Sequence, residues 1–198
     1  MRAPTLLVCI LVLTAGCMGN VGGPVQPGGA EETKTRESTL PQQPKTPSSA
    51  EYDVNIKKIE NIIHEKLNKR RQENNLEPLS RNKSLDAVAR YKSWDMARRD
   101  YFAHTGPNGT THTNLRSKFA VDCVYSGQNI YKDHWAENKQ NVHLALTNSN
   151  EIASAAVRLL LNSPGHRENA LSSDYDSQGI GVFVDENGTV FVTQELCG

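Results

Sequence analysis

The sequence predicts an α+β domain, with helices packed on a small antiparallel sheet. Two observations carry that prediction. Apolar residues recur at helical spacing through the middle of the chain, and the C-terminal stretch reads as two β-rich runs joined by Asp185-Glu186-Asn187-Gly188. Helices first and a hairpin last is a segregated order, which argues against an alternating parallel α/β fold. The 198 residues allow one such domain plus tails.

The chain opens on a targeting signal. Arg2 supplies a positive start, Leu6 to Leu13 is almost wholly apolar, and Leu13-Thr14-Ala15-Gly16-Cys17 follows. The apolar run is too short for a membrane-spanning helix, which needs about 20 residues. Small residues before a cysteine resemble a prokaryotic lipobox, so residues 1–16 read as a signal peptide and Cys17 as the lipidated first residue of the mature chain. The other reading is an ordinary secretory signal cleaved nearby. Residues 17–51 are Gly-, Pro-, Thr- and Gln-rich with hardly an apolar side chain; such a segment cannot bury enough surface to offset its ordering entropy and reads as a disordered tether.

The domain proper spans 52–198. Ile56, Ile59, Ile62, Ile63 and Leu67 predict an amphipathic helix from Asp53 to about Asn74. His64 lies among charged neighbours and is expected to be solvated. Leu76 to Ser80 is a linker. Leu85, Val88, Ala89, Trp94 and Met96 mark a second helix from Asn82 or Lys83 to Arg99, with Trp94 and Met96 expected in the core. His104 follows it, beside the turn cluster Gly106-Pro107-Asn108-Gly109. A short helix is expected over Thr113 to Phe119, and a strand or extended turn over Val124 to Tyr131. Lys132 to Thr147, which holds His134, Trp135 and His143, reads as an exposed loop. Asn148 caps a helix running to Leu161 that is apolar nearly all round. Ser163-Pro164-Gly165 stops it and presents His166. Gly179–Val184 and Thr189–Gln194 form the hairpin, Asn187-Gly188 being a strong turn signal; Ile180, Val182 and Val184 are expected on one face, Val190 and Val192 on another.

Composition narrows the function. Lys+Arg 22 and Asp+Glu 22 cancel, and no basic stripe interleaved with aromatics is present, so nucleic acid is excluded as a partner. Cys9 leaves with the signal and Cys17 goes to lipid, so Cys123 and Cys197 are left as one disulfide of an exported domain. Metal binding by the two thiolates lacks the usual C-x-x-C spacing. His104 and His166 each sit at an element end, and two neutral imidazoles brought together could hold Zn²⁺ or another divalent cation. The bland alternative is that both brace loops. Ser163 lies near His166, but no G-x-S-x-G elbow surrounds it. Asn82, Asn108 and Asn187 each begin an N-x-Ser/Thr sequon.

Tyr101-Phe102-Ala103-His104-Thr105, Gly127-Gln128-Asn129-Ile130, Asn162 to Leu171, Gly179-Ile180-Gly181-Val182 and Phe191-Val192-Thr193-Gln194 occur in that order. Together they resemble the CAP superfamily (cysteine-rich secretory, antigen 5 and pathogenesis-related class 1 proteins) in its prokaryotic form. The resemblance implies a three-layer α-β-α sandwich with a central antiparallel or mixed sheet, and a cleft carrying two histidines and two acids, able in some members to bind zinc or a similar divalent cation. His104 and His166 match the histidines. Gln128 stands where the family usually has glutamate, Ser163 where eukaryotic members have the second acid, and Leu160 where a tryptophan is usual. An amide cannot ionise, so Gln128 is no general base and a weaker ligand for a dication. The expectation is therefore an extracytoplasmic, lipid-anchored protein whose cleft of His104, Gln128, Ser163 and His166 binds a ligand such as a lipid, glycan or protein partner. The alternatives are a metal-dependent peptidase acting through His104 and His166, and a structural surface protein with a vestigial cleft.

Overall fold

The computed structural model describes residues 55–134 and 148–198. The expected signal peptide, Cys17, the tether, and Trp135 and His143 lie outside the described residues. The elements in chain order are α1 (Ile56–Glu73), β1 (Ser80–Arg81), α2 (Lys83–Arg98), α3 (His112–Lys118), β2 (Ser126–His134), α4 (Ser149–Asn162), α5 (Pro164–Ala170), β3 (Ser177–Val184) and β4 (Thr189–Cys197).

Side chains define the helix starts. Asn55, Asn82 and Asn148 each accept hydrogen bonds from backbone N–H groups of the first turn of α1, α2 and α4, satisfying donors that have no partner within the helix. Thr111 and Asn114 form a reciprocal capping box on α3. Ser163-Pro164-Gly165 ends α4 as expected, but Pro164 is also the first residue of α5, a position where its missing N–H costs nothing.

The four strands form one mixed sheet in the order β1-β3-β4-β2, with β1 parallel to β3 and the other pairs antiparallel. Val182 pairs with Val192 and Val184 with Val190. Directly paired residues share a face, so the two valine sets that the hairpin pattern assigned to different faces lie on the same one. That face packs on Ile59, Ile63 and Leu67 of α1, on Ile152, Ala156 and Leu160 of α4 and on Ala170 of α5. The opposite face is covered by α2 and α3 through Leu85, Val88, Leu115 and Phe119, and by Met96 against Ile130 and Phe191. The result is the α-β-α sandwich.

α2 lies directly on the sheet because β3 offers glycine beneath it. A Cβ on Gly179 would fall 2.1 Å from the Leu85 carbonyl carbon, and one on Gly181 would fall 2.0 Å from the Arg90 nitrogen. Beyond two-residue β1, side chains replace the missing neighbour of β3. Asp86 accepts from the Ile180 N–H and Glu60 from the Val182 N–H. Arg81 holds Asp86 at 2.5 Å, and Arg90 holds the fully buried Glu60 through two donors. Cys123 is disulfide-bonded to Cys197, as the cysteine arithmetic expects.

Several expectations need correction. His64 is half-buried and hydrogen-bonded to Asn68 and Gln178; burial holds its imidazole below its ordinary pKa. Lys132 to His134 continue β2 rather than opening a loop. α4 is buried along one side only, with Arg158 and Leu159 exposed. Met96 is buried but Trp94 only partly so.

Candidate functional site

β2 is an edge strand, and its alternation sends Gln128 to one face of the sheet and Asn129 to the other. Gln128 lies opposite Glu195 of β4, and Asn129 opposite Gln194. Each adjacent residue thereby serves one histidine, and the two histidines come from opposite helical layers.

His104 is carried by the loop that leaves α2. Its carbonyl accepts a 2.8 Å hydrogen bond from Lys92 Nζ, which also reaches the Tyr101 hydroxyl at 3.1 Å. Its ring meets Gln128: His104 Nδ1 lies 3.0 Å from Gln128 Oε1, while Gln128 Nε2 donates to Glu195 Oε1 at 2.6 Å. The amide turns its nitrogen to an accepting oxygen of Glu195 and its oxygen to the imidazole. His104 Nδ1 therefore carries the proton in this bond, leaving Nε2 outside it.

His166 sits in the first turns of α5. Asn129 Nδ2 donates to the His166 carbonyl at 2.9 Å and to Gln194 Oε1 at 2.8 Å, and Asn129 Oδ1 accepts from Asn169. Gln194 continues to Gln178, and Gln178 to His64. A chain of buried amides thus ties α5 through the sheet to α1. Such a fully bonded network holds one geometry, because breaking any link strands a buried polar group.

The rings of His104 and His166 face each other edge to face with centroids 5.8 Å apart. Burial, and secondarily the neighbouring His104, holds His166 below its ordinary pKa, favouring the neutral ring. Behind Gln128, Glu195 is wholly buried and also accepts from Arg116 Nη1 at 3.3 Å. Burial outweighs its hydrogen bond from Gln128 and the charge of Arg116, pushing its carboxyl up to about 7.

The structure thus brings His104, Gln128 and His166 together. Ser163 caps the start of α5 with its backbone carbonyl, and its side chain makes no cap hydrogen bond. Sequence reasoning missed Glu195, Arg116 and Lys92. Lys92 left a signal, falling at i+4 from Val88 and i−4 from Met96 on the apolar face of α2; a lysine there must be buried with partners.

As a metal platform the site supplies two imidazoles. Two histidines sharing one Zn²⁺ would place their ring centres roughly 5 Å apart, close to the distance found. Among the described residues, however, no group of three His, Cys, Asp or Glu is placed to hold an ion. Two imidazoles alone would make a weak, incomplete site that needs further ligands from water or a bound molecule.

A sandwich with a histidine from each helical layer beside an edge strand defines a CAP-type domain. The chain belongs to the CAP family, described as the cysteine-rich secretory protein family, which it matches over residues 64–196. It is 28% identical over 168 residues to the uncharacterized protein YkwD of Bacillus subtilis (strain 168), covering 85% of this chain and 57% of that one. An extracellular protein containing a SCP domain from Bacillus anthracis is 27% identical, with TM-score 0.55, over 70% of this chain and 40% of that one. The chain therefore spans well under two thirds of either relative. An outer surface protein of Borrelia burgdorferi shares the fold at 18% identity and TM-score 0.60, over 72% of this chain and 94% of that one.

Proposed function

We propose that this chain is an extracytoplasmic, lipid-anchored CAP-domain protein whose cleft of His104, Gln128 and His166 binds a ligand rather than catalysing. The observation that carries the reading is the placement of Gln128. Its neutral amide lies between His104 and the buried Glu195, so the position that touches the imidazole has no ionisable group. A metal-assisted hydrolase site would place a carboxylate beside its imidazoles as ligand or base; here the carboxylate stands one residue further back and is sealed from solvent.

Export is supported by the Cys123–Cys197 disulfide, since such bonds persist outside the reducing cytoplasm, and by the extracellular description of the Bacillus anthracis relative. Anchoring rests on the lipobox-like Leu13 to Cys17. The ligand's class stays among lipids, glycans and protein partners, as the family resemblance implies.

Incubating the full chain with a peptide library, with and without added Zn²⁺, tests the binding-only reading. No cleavage is expected; cleavage that disappears in His166→Ala would establish the peptidase instead. Mass spectrometry of the membrane fraction is expected to find Cys17 diacylated, and an unmodified, soluble mature chain would remove the anchor.

A further inference from the structure

Between α2, α3 and the 99–111 loop lies a cavity of about 270 Å³, open to solvent. Tyr91, Trp94 and Leu115 line it, and so do Lys92, Arg98 and Lys118. It borders His104 but not His166.

Its hydrogen-bonding character is one-sided. Asp95, the carboxylate of the cavity, is already committed: Arg99 donates to both its oxygens at 2.8 and 2.5 Å, and Tyr101 donates to one at 2.5 Å. Lys92 is 3% exposed, and among the described residues two of its three N–H donors have partners, the Tyr101 hydroxyl and the His104 carbonyl. His112 lies 3.1 Å from Arg116 Nη1 through Nδ1. Arginine only donates, so that nitrogen accepts and Nε2–H is left over. Arg98 and Lys118 are exposed at the rim. Among the described residues, the cavity therefore presents spare donors and three cations (Lys92, Arg98 and Lys118) that form no salt bridge, and its carboxylate is used up. A complementary ligand must bring acceptors and negative charge.

Size and walls limit the rest. The volume falls just below the usual range for drug-sized ligands, which suits a small one. Trp94 is half-buried, tilted 57° to Tyr91 with ring centroids 5.3 Å apart, so an aromatic surface flanks the cations. Such rings offer an apolar face to a flat or ring-shaped body.

We propose that this cavity binds a small organic anion of about one ring, its carboxylate or phosphate held by Lys92 with Arg98 and Lys118 at the rim, and its ring against Trp94. The site lies beside His104, whose carbonyl Lys92 holds, and apart from His166. An acidic sugar and an aromatic acid share this chemistry, and the probes separate them.

The test is calorimetric titration of the full chain with D-glucuronate, benzoate, D-glucose and inorganic phosphate. Glucuronate or benzoate is expected to bind, the tighter of the two naming the source. Glucose is expected to bind at least about tenfold more weakly for want of charge, and phosphate for want of a ring. Lys92→Met and Trp94→Ala are each expected to weaken the better probe about tenfold or more. Because Lys92 is buried and its loss threatens folding, the double variant Arg98→Ala/Lys118→Ala provides a surface test with an expected loss of several-fold. His166→Ala is expected to leave this binding unchanged. Absence of binding by both ring acids, glucose binding equal to glucuronate, phosphate matching both ring acids, indifference to Trp94→Ala and to the rim variant, or loss in His166→Ala would each overturn the proposal.

Discussion

Glu195 shows what a single side chain contributes here that the motifs do not announce. Its carboxyl is raised from 4.5 to about 7, chiefly by burial. The folded state therefore binds the extra proton across that interval, so the stability it confers is complete below about pH 4.5 and is lost as pH rises through about 7. His112 works in the opposite sense. Burial depresses it from 6.5 to about 4, so its contribution is present above 6.5 and lost as pH falls through 4. Glu195→Gln deletes the first effect and keeps the second, and urea midpoints between about pH 5 and 7 are expected to climb more steeply in the variant than in the parent. Parallel profiles would show that Glu195 does not titrate in that window. His104, Gln128 and His166 were legible because they lie in short motifs with fixed neighbours. Glu195 was not, because at the end of a β-rich run a glutamate looks like a solvated strand terminus. Only the register that sets it opposite Gln128, beneath α3, makes it a buried acid.

At the scale of elements, β3 depends on side chains from two helices. Glu60 from α1 and Asp86 from α2 accept the N–H groups that a longer β1 would have paired. Glu60→Ala leaves Arg90 without its carboxylate and Val182 without an acceptor, and the expected loss is roughly 3–5 kcal/mol by urea denaturation; a loss under about 1 kcal/mol would mean water satisfies both groups. Gly181→Ala forces α2 off the sheet and is expected to cost on the order of 3 kcal/mol, read as a fall in the thermal midpoint. The main helices and the hairpin were legible from their periods. β1 was not, since two residues show no alternation. β2 was read short because Lys132, Asp133 and His134 are polar, as the end of an edge strand allows. α5 was hidden because Ser-Pro-Gly signals a stop and a start equally well.

At the scale of the molecule, the disulfide joins the C-terminal strand to the segment after α3 across a sequence separation of 74 residues. Closing a loop of that length is worth roughly 4 kcal/mol through the unfolded state, and Cys123→Ser/Cys197→Ser is expected to lose about that much in a denaturant titration. Composition and cysteine count made this bond legible. The assignment of helices to the two faces was legible only through the family resemblance, because it turns on strand register that no local pattern fixes. The three layers are what bring His104 and His166 to one edge of the sheet, with an amide between the imidazole and the acid. The most direct test of that arrangement is Zn²⁺ calorimetry on the full chain and on Gln128→Glu, with His104→Ala and His166→Ala alongside. The parent is expected to show no saturable binding at micromolar Zn²⁺, and Gln128→Glu to gain at least about tenfold through both histidines. Micromolar binding by the parent through His104 and His166, unchanged in Gln128→Glu, would contradict it.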